Sequence, residues 1–452
     1  MSESSALKFP PGPPNRLLSA LFGAMQQNPL DYFTDTARKY GDVSGMCIGN
    51  FRSLFINHPD LIEDVLVNNA KKYHKGRILQ ANKYLFGEGL LTSEGDFWLR
   101  QRRLSQPAFH RARVSAYAAT MAEYAEQMLA TWHNGEERDI HEEMIQLALR
   151  IVGKTLFDAD VTRDAKEVGE TLDILLQIAA NFGRTILVPL WVPTPRNLRA
   201  KLGIKRLEKV IYRIIAERRA SGHDTGDLLS ILLDAQDEDG SHMSDRQLRD
   251  ETITLFLAGH ETTANTLSWT WWLLAQNPAV EKRFHEELDG VLGGRVPTLN
   301  DLPKLTYLSH VLTESLRLYP TAWGMARLAA EEHEIAGYPV RVGYGVAFAQ
   351  WVVQRDARWF DAPLEFRPER WENGLAKQLP RFAYFPFGGG PRQCIGNAFA
   401  LMEASVVLAT VGRKYRFSLV PEHQVTPLAS ITLRPRNGIR VTLESRASKW
   451  SQ

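Results

Sequence analysis

Residues 385–404 of the chain read FPFGGGPRQCIGNAFALMEA, a glycine-rich loop that leads through a cysteine into an apolar helix. Gly388, Gly389 and Gly390 permit a tight turn with exposed backbone. Cys394 then falls near the start of the helix, where free N–H groups and the helix dipole favour a thiolate. Arg392 adds positive charge two residues earlier. The stretch therefore predicts a cysteine with a chemical function.

The residues alone leave four interpretations of Cys394 open. A lone cysteine is usually a buried, inert side chain. A catalytic nucleophile would need a paired histidine, which the local pattern does not offer. A phosphate loop would carry G-K-[ST] or G-x-G-x-x-G, and residues 385–404 carry neither. A thiolate held by backbone donors is also the ligand that haem iron needs for cleavage of the O–O bond.

The pattern F-x-x-G-x-R-x-C-x-G resembles the haem-binding loop of the cytochrome P450 monooxygenases; Phe387, Gly390, Arg392, Cys394 and Gly396 fill it. The resemblance implies that Cys394 is the thiolate ligand of haem b and that Phe387, Arg392 and Gly396 contact the haem. It also implies the fold of that family, a triangular, mainly α single domain with small β-sheets and haem between two long helices. We expect that domain to span residues 1–452, with a proline-rich lead-in over residues 1–15.

Composition sets the limits around this expectation. The chain has 452 residues, 44% hydrophobic and 23% charged, which is typical of a globular protein with a large core. Its 54 basic and 52 acidic residues argue against a nucleic-acid partner. Two cysteines, Cys47 and Cys394, exclude a disulfide framework and predict a reducing, cytoplasmic location. No signal peptide and no run of about 18 apolar residues occurs, so we expect no membrane span.

Apolar periodicity predicts a mostly helical body with short strands toward the two ends of the chain. Length alone would suggest about three domains, but this arrangement favours one compact α-dominated unit. Strands are expected in GDVSGMCIG, RSLFINH, residues 333–350 and the C-terminal segments. Helices are predicted at 94–110, 112–132, 140–156, 163–183, 197–220, 226–237, 245–276, 278–293 and 305–318.

A second motif, ESLR, places Glu314 and Arg317 on one face of a helix, where the two charges can pair. For an arbitrary E-x-x-R, a surface ion pair worth less than about 1 kcal/mol is the better interpretation. In the resembled family these two residues form a buried network with the arginine of a later motif, here FRPERW with Arg370. The resemblance thus implies that Glu314, Arg317 and Arg370 support the cysteine loop.

A third motif is LFLAGHETTAN, residues 255–265, in which Leu255, Ala258, Gly259 and Thr262 form one helical stripe. On residue grounds alone, Thr262 more often donates to a carbonyl one turn earlier. The motif resembles the oxygen-activation segment of the same family. The resemblance implies that Ala258 and Gly259 lie against the haem, that Thr262 hydrogen-bonds the bound dioxygen, and that Glu261 relays protons through water.

The segment WLRQRR puts Trp98 and Arg102 on one helix face. Its simplest interpretation is a basic amphipathic helix with a packed tryptophan. In the resembled family, W-x-x-x-R binds the haem propionates, since an arginine can pair with a carboxylate through two hydrogen bonds. Arg327 and Arg392 are further candidates for the propionates.

The predicted substrate pocket is mostly apolar, which favours an apolar substrate with a fatty-acid, terpenoid, steroid or polyketide skeleton. One oxygen atom from O₂ would enter that substrate as a hydroxyl or an epoxide. Trp323 is expected to narrow the space above the haem. The pocket is assigned to Ile78 to Leu90, Phe182 to Trp191, Leu255, Phe256, Ala258, Thr262, Ala322, Trp323, Gly324, Ser430 and Ile431.

Nothing sizeable follows the terminal strands, so we expect electrons from NAD(P)H to arrive through a separate ferredoxin, flavodoxin or flavin reductase. The monomeric chain would receive that donor near Cys394, at Arg100, Arg103, Arg381 and Arg392. Alternatives in the same fold are a peroxide-driven peroxygenase or a haem-thiolate isomerase, and Glu261 with Thr262 argues against both. A haem sensor without turnover is the alternative from a different class.

Overall fold

The computed structural model describes residues 9–14, 27–158, 192–222, 227–235 and 242–446, with the single positions 169, 171, 174, 175 and 240. Apart from four of those single positions, the predicted helix 163–183 lies outside the described residues. The predicted pocket segment Phe182 to Trp191 lies outside them altogether.

Helices make up most of the described chain, as the apolar periodicity predicts. In chain order they are α1 (Pro29–Tyr40), α2 (Pro59–Glu63), α3 (Arg77–Ala81), α4 (Lys83–Phe86), α5 (Gly95–Ser105), α6 (Arg111–Ala116), α7 (Ala118–Leu129), α8 (Ile140–Phe157), α9 (Pro195–Ser221), α10 (Leu228–Asp234), α11 (Asp245–Gln276), α12 (Pro278–Leu292), α13 (Thr306–Leu318), α14 (Gln350–Val353), α15 (Leu375–Gln378) and α16 (Asn397–Gly412).

The strands are short and form small sheets. They are β1 (Val43–Ile48), β2 (Phe51–Ile56), β3 (Tyr73–Lys75), β4 (Glu137–Asp139), β5 (Met325–Ala329), β6 (His333–Ile335), β7 (Tyr338–Val340), β8 (Gly345–Phe348), β9 (Tyr415–Leu419), β10 (Pro427–Ala429), β11 (Leu433–Pro435) and β12 (Arg440–Ser445).

The largest of these sheets joins strands from residues 43–75 with strands from residues 325–348. Its strand order is β1-β2-β8-β5-β3, with β2 and β8 parallel and the other neighbours antiparallel. A three-stranded sheet combines β4, β12 and β9, and two hairpins are formed by β6–β7 and β10–β11. Strand β5 was not predicted, because PTAWGMARLAA lacks the β-branched alternation that marks a strand.

The longest described helix, α11, has the predicted bounds 245–276 because both ends carry clear signals. Ser244 and Gln247 form a reciprocal capping box at its start. At its end Asn277 is followed by Pro278, which begins the next helix. From Leu248 to Trp271 nearly every residue of α11 is buried, so this helix runs through the core.

Two predicted helices differ from the structure. The segment 94–110 is helical only to Ser105 and continues as a 3₁₀ turn over Gln106–Phe109, where Pro107 prevents the α-helical hydrogen bond. The segment 112–132 is divided into α6 and α7 at Tyr117. None of the described helices is both long enough and apolar enough to span a membrane.

Candidate active site

A short stripe of accessible surface interrupts the buried middle of α11. Between Leu248 and Trp271, Ala258 is exposed and Gly259 and Thr262 are half-buried, while every other residue is buried. Thr262 also borders a cavity of about 30 Å³ that reaches the cysteine loop and α16. The full lining is Thr262, Thr263, Thr266, Leu312, Leu316, Thr321, Phe387, Ala400, Leu401 and Ala404. Thr262, at the C-terminal end of the stripe, therefore faces a space that it shares with the first turns of α16.

Cys394 lies in the loop that leads from Phe387 into α16. Its backbone N–H donates to Phe387 O at 3.0 Å, which closes the loop. The side chain keeps accessible surface, although it lies deep among protein atoms. Burial raises the pKa of the Cys394 thiol, and the Gly396 N–H and the Arg102 guanidinium oppose that rise. The predicted positive charge is thus supplied by Arg102 rather than by Arg392.

The cysteine loop can adopt its path only because it is rich in glycine. Gly390 has φ of +67°, in the left-handed region, and a Cβ there would lie 1.8 Å from Leu66 O. A Cβ on Gly389 would lie 2.4 Å from the ring of Phe382. The loop is therefore pressed against the π-helical turn Asp64–Asn68 and against its own preceding segment.

Glu314 and Arg317 form a buried ion pair beneath this loop. Both side chains are 0% exposed, and Arg317 Nε and Nη2 each donate to Glu314 at 2.8 Å. Arg370 Nε donates to Glu314 Oε1 at 2.8 Å and Trp371 Nε1 to Oε2 at 2.9 Å. A buried carboxylate is stable only when its oxygens are fully paired, and here they are.

The network reaches the cysteine loop through Gln354. The Gln354 amide donates to Leu316 O and Arg317 O at 3.0 Å each, and its oxygen accepts the Phe385 N–H at 3.0 Å. Tyr384 donates to Thr313 O at 3.2 Å. Helix α13 is thereby tied directly to the residues that precede Phe387, which is the supporting geometry that the ESLR motif implies.

A cluster of cations surrounds Trp98, near the opposite edge of the cysteine loop. Arg392 lies over the Trp98 ring at 5.3 Å and Lys75 Nζ at 5.8 Å from the ring centre. Arg327 is the register partner of Lys75 between β5 and β3, and both are 6% exposed. Arg392 Nη2 pairs with Glu94 at 2.5 Å.

Positive charge exceeds negative charge in this cluster. Burial and the neighbouring Arg392 lower the pKa of Arg327 to about 10, with Glu94 opposing. Burial, together with Arg392 and Arg327, lowers the pKa of Lys75 to about 7, while Glu94 opposes the shift. Added carboxylates would relieve this excess. The donor set therefore fits the two propionates of a haem, while the accessible stripe and Cys394 fit its faces.

Arg102, the other predicted propionate partner, lies on the cysteine side. Its Nη1 donates to Gln393 O at 2.8 Å, and burial lowers its pKa while Cys394 opposes that shift. Trp98 is 9% exposed and shares the α5 face with Arg102, as the spacing predicts.

Thr262 and Glu261 point in different directions. Thr262 Oγ1 donates to Ala258 O at 2.6 Å, the contact expected for an ordinary helix threonine. Glu261 is 4% exposed and turns to the β10–β11 hairpin. Its Oε1 accepts from Thr432 Oγ1 at 2.8 Å and lies 4.0 Å from Arg434 Nη1. The acid and the alcohol are thus adjacent in sequence but make no hydrogen bond to each other.

Two residues of the α11 motif pack against α8. A Cβ on Gly259 would lie 3.0 Å from Val152 Cγ2, so the glycine allows close packing of the two helices. Phe256 stacks on Phe157 with ring centres 4.4 Å apart. The structure therefore gives Gly259 a packing function besides the expected contact with haem, and it directs Phe256 into the core rather than toward the accessible stripe.

The remaining predicted pocket residues differ in placement. Trp323 Nε1 donates to Ser430 O at 2.8 Å, and its ring lies 6.1 Å from that of Phe33. These contacts attach Trp323 to α1 and the terminal hairpin and do not support the idea that it narrows the space above the haem. Leu255 is 5% exposed; Ala322, Ser430 and Ile431 are half-buried.

Three contributors to the site were not predicted. Lys75, Glu94 and Trp371 are brought in from separate elements, and their contacts depend on tertiary packing. FRPERW contains Trp371, but a tryptophan after an arginine has no helical or strand periodicity to reveal a buried N–H donor. Lys75 follows an aromatic in a three-residue strand, which is too short to carry a pattern.

Comparison with known proteins gives one consistent result. The family model described as cytochrome P450 matches residues 10–442. The chain is 36% identical to cyclooctat-9-en-7-ol 5-monooxygenase of Streptomyces melanosporofaciens, over 88% of this chain and 87% of the relative. It is 36% identical to cyclooctatin synthase of the same organism, over 90% of each. Pentalenene oxygenase of Streptomyces avermitilis is 34% identical over 93% and 94%. The chain therefore belongs to the cytochrome P450 family and is a haem-thiolate monooxygenase.

Proposed function

We propose that Cys394 supplies the thiolate for haem iron and that the haem lies between the accessible stripe of α11 and the start of α16. The observations that carry this proposal are the accessible surface of Ala258 and Thr262 in the middle of a buried helix and the cavity that Thr262 shares with Phe387 of the cysteine loop. When bound, haem supplies the activation of O₂ and the transfer of one oxygen atom to the substrate.

The residues of the chain hold the group and handle protons. Trp98, Arg102, Arg327 and Arg392 bind the propionates. The Thr262 hydroxyl turns from Ala258 O toward the open side of the stripe and donates there. Once Glu261 leaves Thr432, it takes a proton from solvent water and passes it through water to Thr262, which replaces the proton that Thr262 donated.

We further propose a terpenoid substrate, either a hydrocarbon or an alcohol. Two relatives, each matching most of this chain, carry names that specify cyclooctat-9-en-7-ol and pentalenene. The apolar side chains of Leu255, Ala322 and Ile431 agree with a hydrocarbon skeleton. Hydroxylation or epoxidation of that skeleton is the reaction.

The electron donor is a separate ferredoxin, flavodoxin or flavin reductase that draws on NAD(P)H. Two of the four predicted docking arginines already have acidic partners: Arg392 pairs with Glu94 and Arg381 with Glu63. We place the donor at a depression of about 620 Å³ beside α5, because two arginines and a histidine line it. The full lining is Arg103, Gln106, Pro107, His110 and Arg113. A monomeric chain, one domain over residues 1–452 and a cytoplasmic location remain predictions.

The experiment is the absorption spectrum of the reduced carbon monoxide complex. The wild-type protein should show the red-shifted Soret band of a thiolate ligand, Cys394→Ser should lose it, and the control Cys47→Ser, a half-buried change on β1, should keep it. A red-shifted band that persists in Cys394→Ser would overturn the ligand assignment.

The same ferric protein tests the substrate class by titration. Terpenoid hydrocarbons and alcohols should shift the spin state, and fatty acids and steroids should not; the reverse pattern would overturn the terpenoid assignment. Product formed with donor proteins and O₂ supports monooxygenation. Product formed only with peroxide would favour the peroxygenase, and absence of turnover with every bound compound would favour the sensor.

A further inference from the structure

A glycine-containing loop, residues 87–93, lies directly on the first turns of α11. Gly87 has φ of +73°, and a Cβ there would lie 2.1 Å from the Asp250 carboxylate. A Cβ on Gly89 would lie 2.3 Å from Thr254 Oγ1 and 2.5 Å from Asp250 O. The loop backbone therefore contacts α11 with no side chain between them.

Two acids on α11 bind the backbone of this loop. Asp250 Oδ2 accepts the Glu88 N–H at 2.9 Å, and Glu251 Oε2 accepts the Leu90 N–H at 3.0 Å. Glu251 is 1% exposed, and its Oε1 has no hydrogen-bond partner among the described residues. Protonation at this unpaired oxygen would make the carboxyl group neutral, and the hydrogen bond from Leu90 would then lose its charge assistance.

Lys75 binds the same loop from the opposite side. Its Nζ donates to Leu90 O at 2.8 Å and to Ser93 O at 2.7 Å, and the residue is 6% exposed. The N–H of Leu90 is thus held by an acid on α11 and its carbonyl by a base on β3. Both bonds are charge-assisted while the two side chains are ionised.

This pair lies at one end of the accessible stripe. Glu251 precedes Leu255, Ala258 and Thr262 by four, seven and eleven residues, so the four share one face of α11. The loop leads into α5 and Trp98. The 87–93 loop contacts α11 as far as Thr254, one helical turn before the exposed Ala258.

We propose that Glu251 and Lys75 are positioning residues that hold the 87–93 loop closed over this end of the site, and that each weakens its own hold on the loop when its side chain loses its charge. The inference rests on the proposed function, because it concerns substrate access to the same site. Neither residue touches the reacting atoms; both act through the backbone of Leu90.

The electrostatics place both charge losses near neutral pH. Burial and the nearby Asp250 raise the pKa of Glu251 to about 7, although the Leu90 N–H and Lys75 oppose the rise. Burial lowers the pKa of Lys75 to about 7. Glu251 gains a proton as the pH falls below neutrality and Lys75 loses one as the pH rises above it, so the loop is held best between these two transitions. Bound haem propionates would move the Lys75 transition to higher pH. The other charged groups facing the pair are Asp250, Glu94, Arg327 and Arg392.

Hydrogen exchange of the substrate-free protein tests the inference without any turnover. At pH 7, Glu251→Gln and Lys75→Met should each raise exchange at the Leu90 amide about 10-fold, since each loses a hydrogen bond to a charged group. The matched controls are Glu286→Gln and Lys282→Met, an exposed pair on α12 with side chains 60% and 78% accessible. They should leave that exchange unchanged.

The pH profile separates this function from general loosening of the fold. After correction for intrinsic exchange rates, wild-type protection of residues 88–93 should be highest near pH 7 and fall on both sides. Glu251→Gln should lose the acid limb only, and Lys75→Met the alkaline limb only. A flat wild-type profile, or both limbs in both variants, would overturn the inference.

Substrate affinity gives the connection to the site. The dissociation constant from the spin-state titration should follow the same pH dependence as the exchange. If no terpenoid binds, the proposed substrate class fails, while the exchange profile still tests whether Glu251 and Lys75 hold the 87–93 loop. If terpenoids bind with an affinity independent of pH although the loop opens, the access function is refuted and the proposed substrate class stands.

Discussion

The Thr262 hydroxyl can donate its one proton either to the backbone of its own helix or to the open side of the stripe. The hydroxyl donates to Ala258 O, which satisfies it as in any helix threonine. The same residue is half-buried in a helix segment whose other polar side chains are buried. Thr155 on α8 makes the same bond, to Ile151 O at 2.7 Å, and is 2% exposed. The two threonines differ in access to the site, which makes them a matched pair.

Thr262→Ala should uncouple electron use from product formation. Loss of the donor leaves the developing anion without a nearby proton, so product per NAD(P)H should fall about 10-fold while peroxide rises. Product and peroxide measured in one reaction with donor proteins check this. Thr155→Ala should couple normally. If Thr262→Ala couples fully, the assigned proton function is wrong, and the hydrogen bond to Ala258 O is the only function of the hydroxyl.

Contacts between residues at short spacing in the sequence were predictable, and contacts with residues from distant elements were not. Glu314 with Arg317 follows from helix geometry within one segment. Trp371 and Gln354 complete the same network from other segments, and nothing in their local sequence marks them. Glu261 shows the opposite limit: its neighbour in sequence is Thr262, yet its hydrogen-bond partner is Thr432.

At the scale of elements, bounds were predicted where capping residues are strong. Helix α11 begins after Ser244 and ends before Asn277 as expected. The division of 112–132 at Tyr117 and the strand β5 were missed, because tertiary packing overrides weak local preference there. In the cysteine loop, the tight turn predicted from the glycines has a steric cause in the structure. A Cβ at Gly389 or Gly390 would collide with neighbouring atoms.

Gly390→Ala should damage this loop more than a comparable change elsewhere. Its Cβ would collide with a backbone carbonyl in addition to the left-handed strain, so the free energy of unfolding should fall by about 3 kcal/mol or more. Gly374 has φ of +70° with open space around its Cβ, and Gly374→Ala should cost only about 1 kcal/mol. Urea unfolding of both variants measures the difference. Equal losses would show that the contact with Leu66 O is relieved without cost.

On the scale of the whole molecule, the surface beside α5 joins the cysteine loop to the exterior. Arg102 reaches Gln393 from this helix, and Arg103, His110 and Arg113 line the depression outside it. An acidic partner seated there would approach Cys394 from the side opposite to the accessible stripe of α11. Substrate and electron donor would then use different faces.

Charge reversal at this depression should slow electron transfer. Arg103→Glu and Arg113→Glu should each lower the rate from an acidic ferredoxin about 10-fold at low ionic strength, and high salt should reduce the difference. Stopped-flow reduction of the haem measures the rate. Arg440→Glu, at a 55% exposed arginine on β12, is the control. Identical rates in all three variants would place the donor elsewhere.

The five-stranded sheet has a consequence for how the protein is made. Strand β2 pairs in parallel with β8, so Leu54 meets Val346 across nearly 300 positions of chain. During synthesis β1 and β2 leave the ribosome long before that partner exists, and β2 keeps an open edge until then. Such distant pairing slows folding. Until β8 is synthesised, the β1–β2 hairpin is thus the segment that most needs a chaperone. In a nascent chain stalled before residue 345, the exposed edge of β2 could pair with other chains.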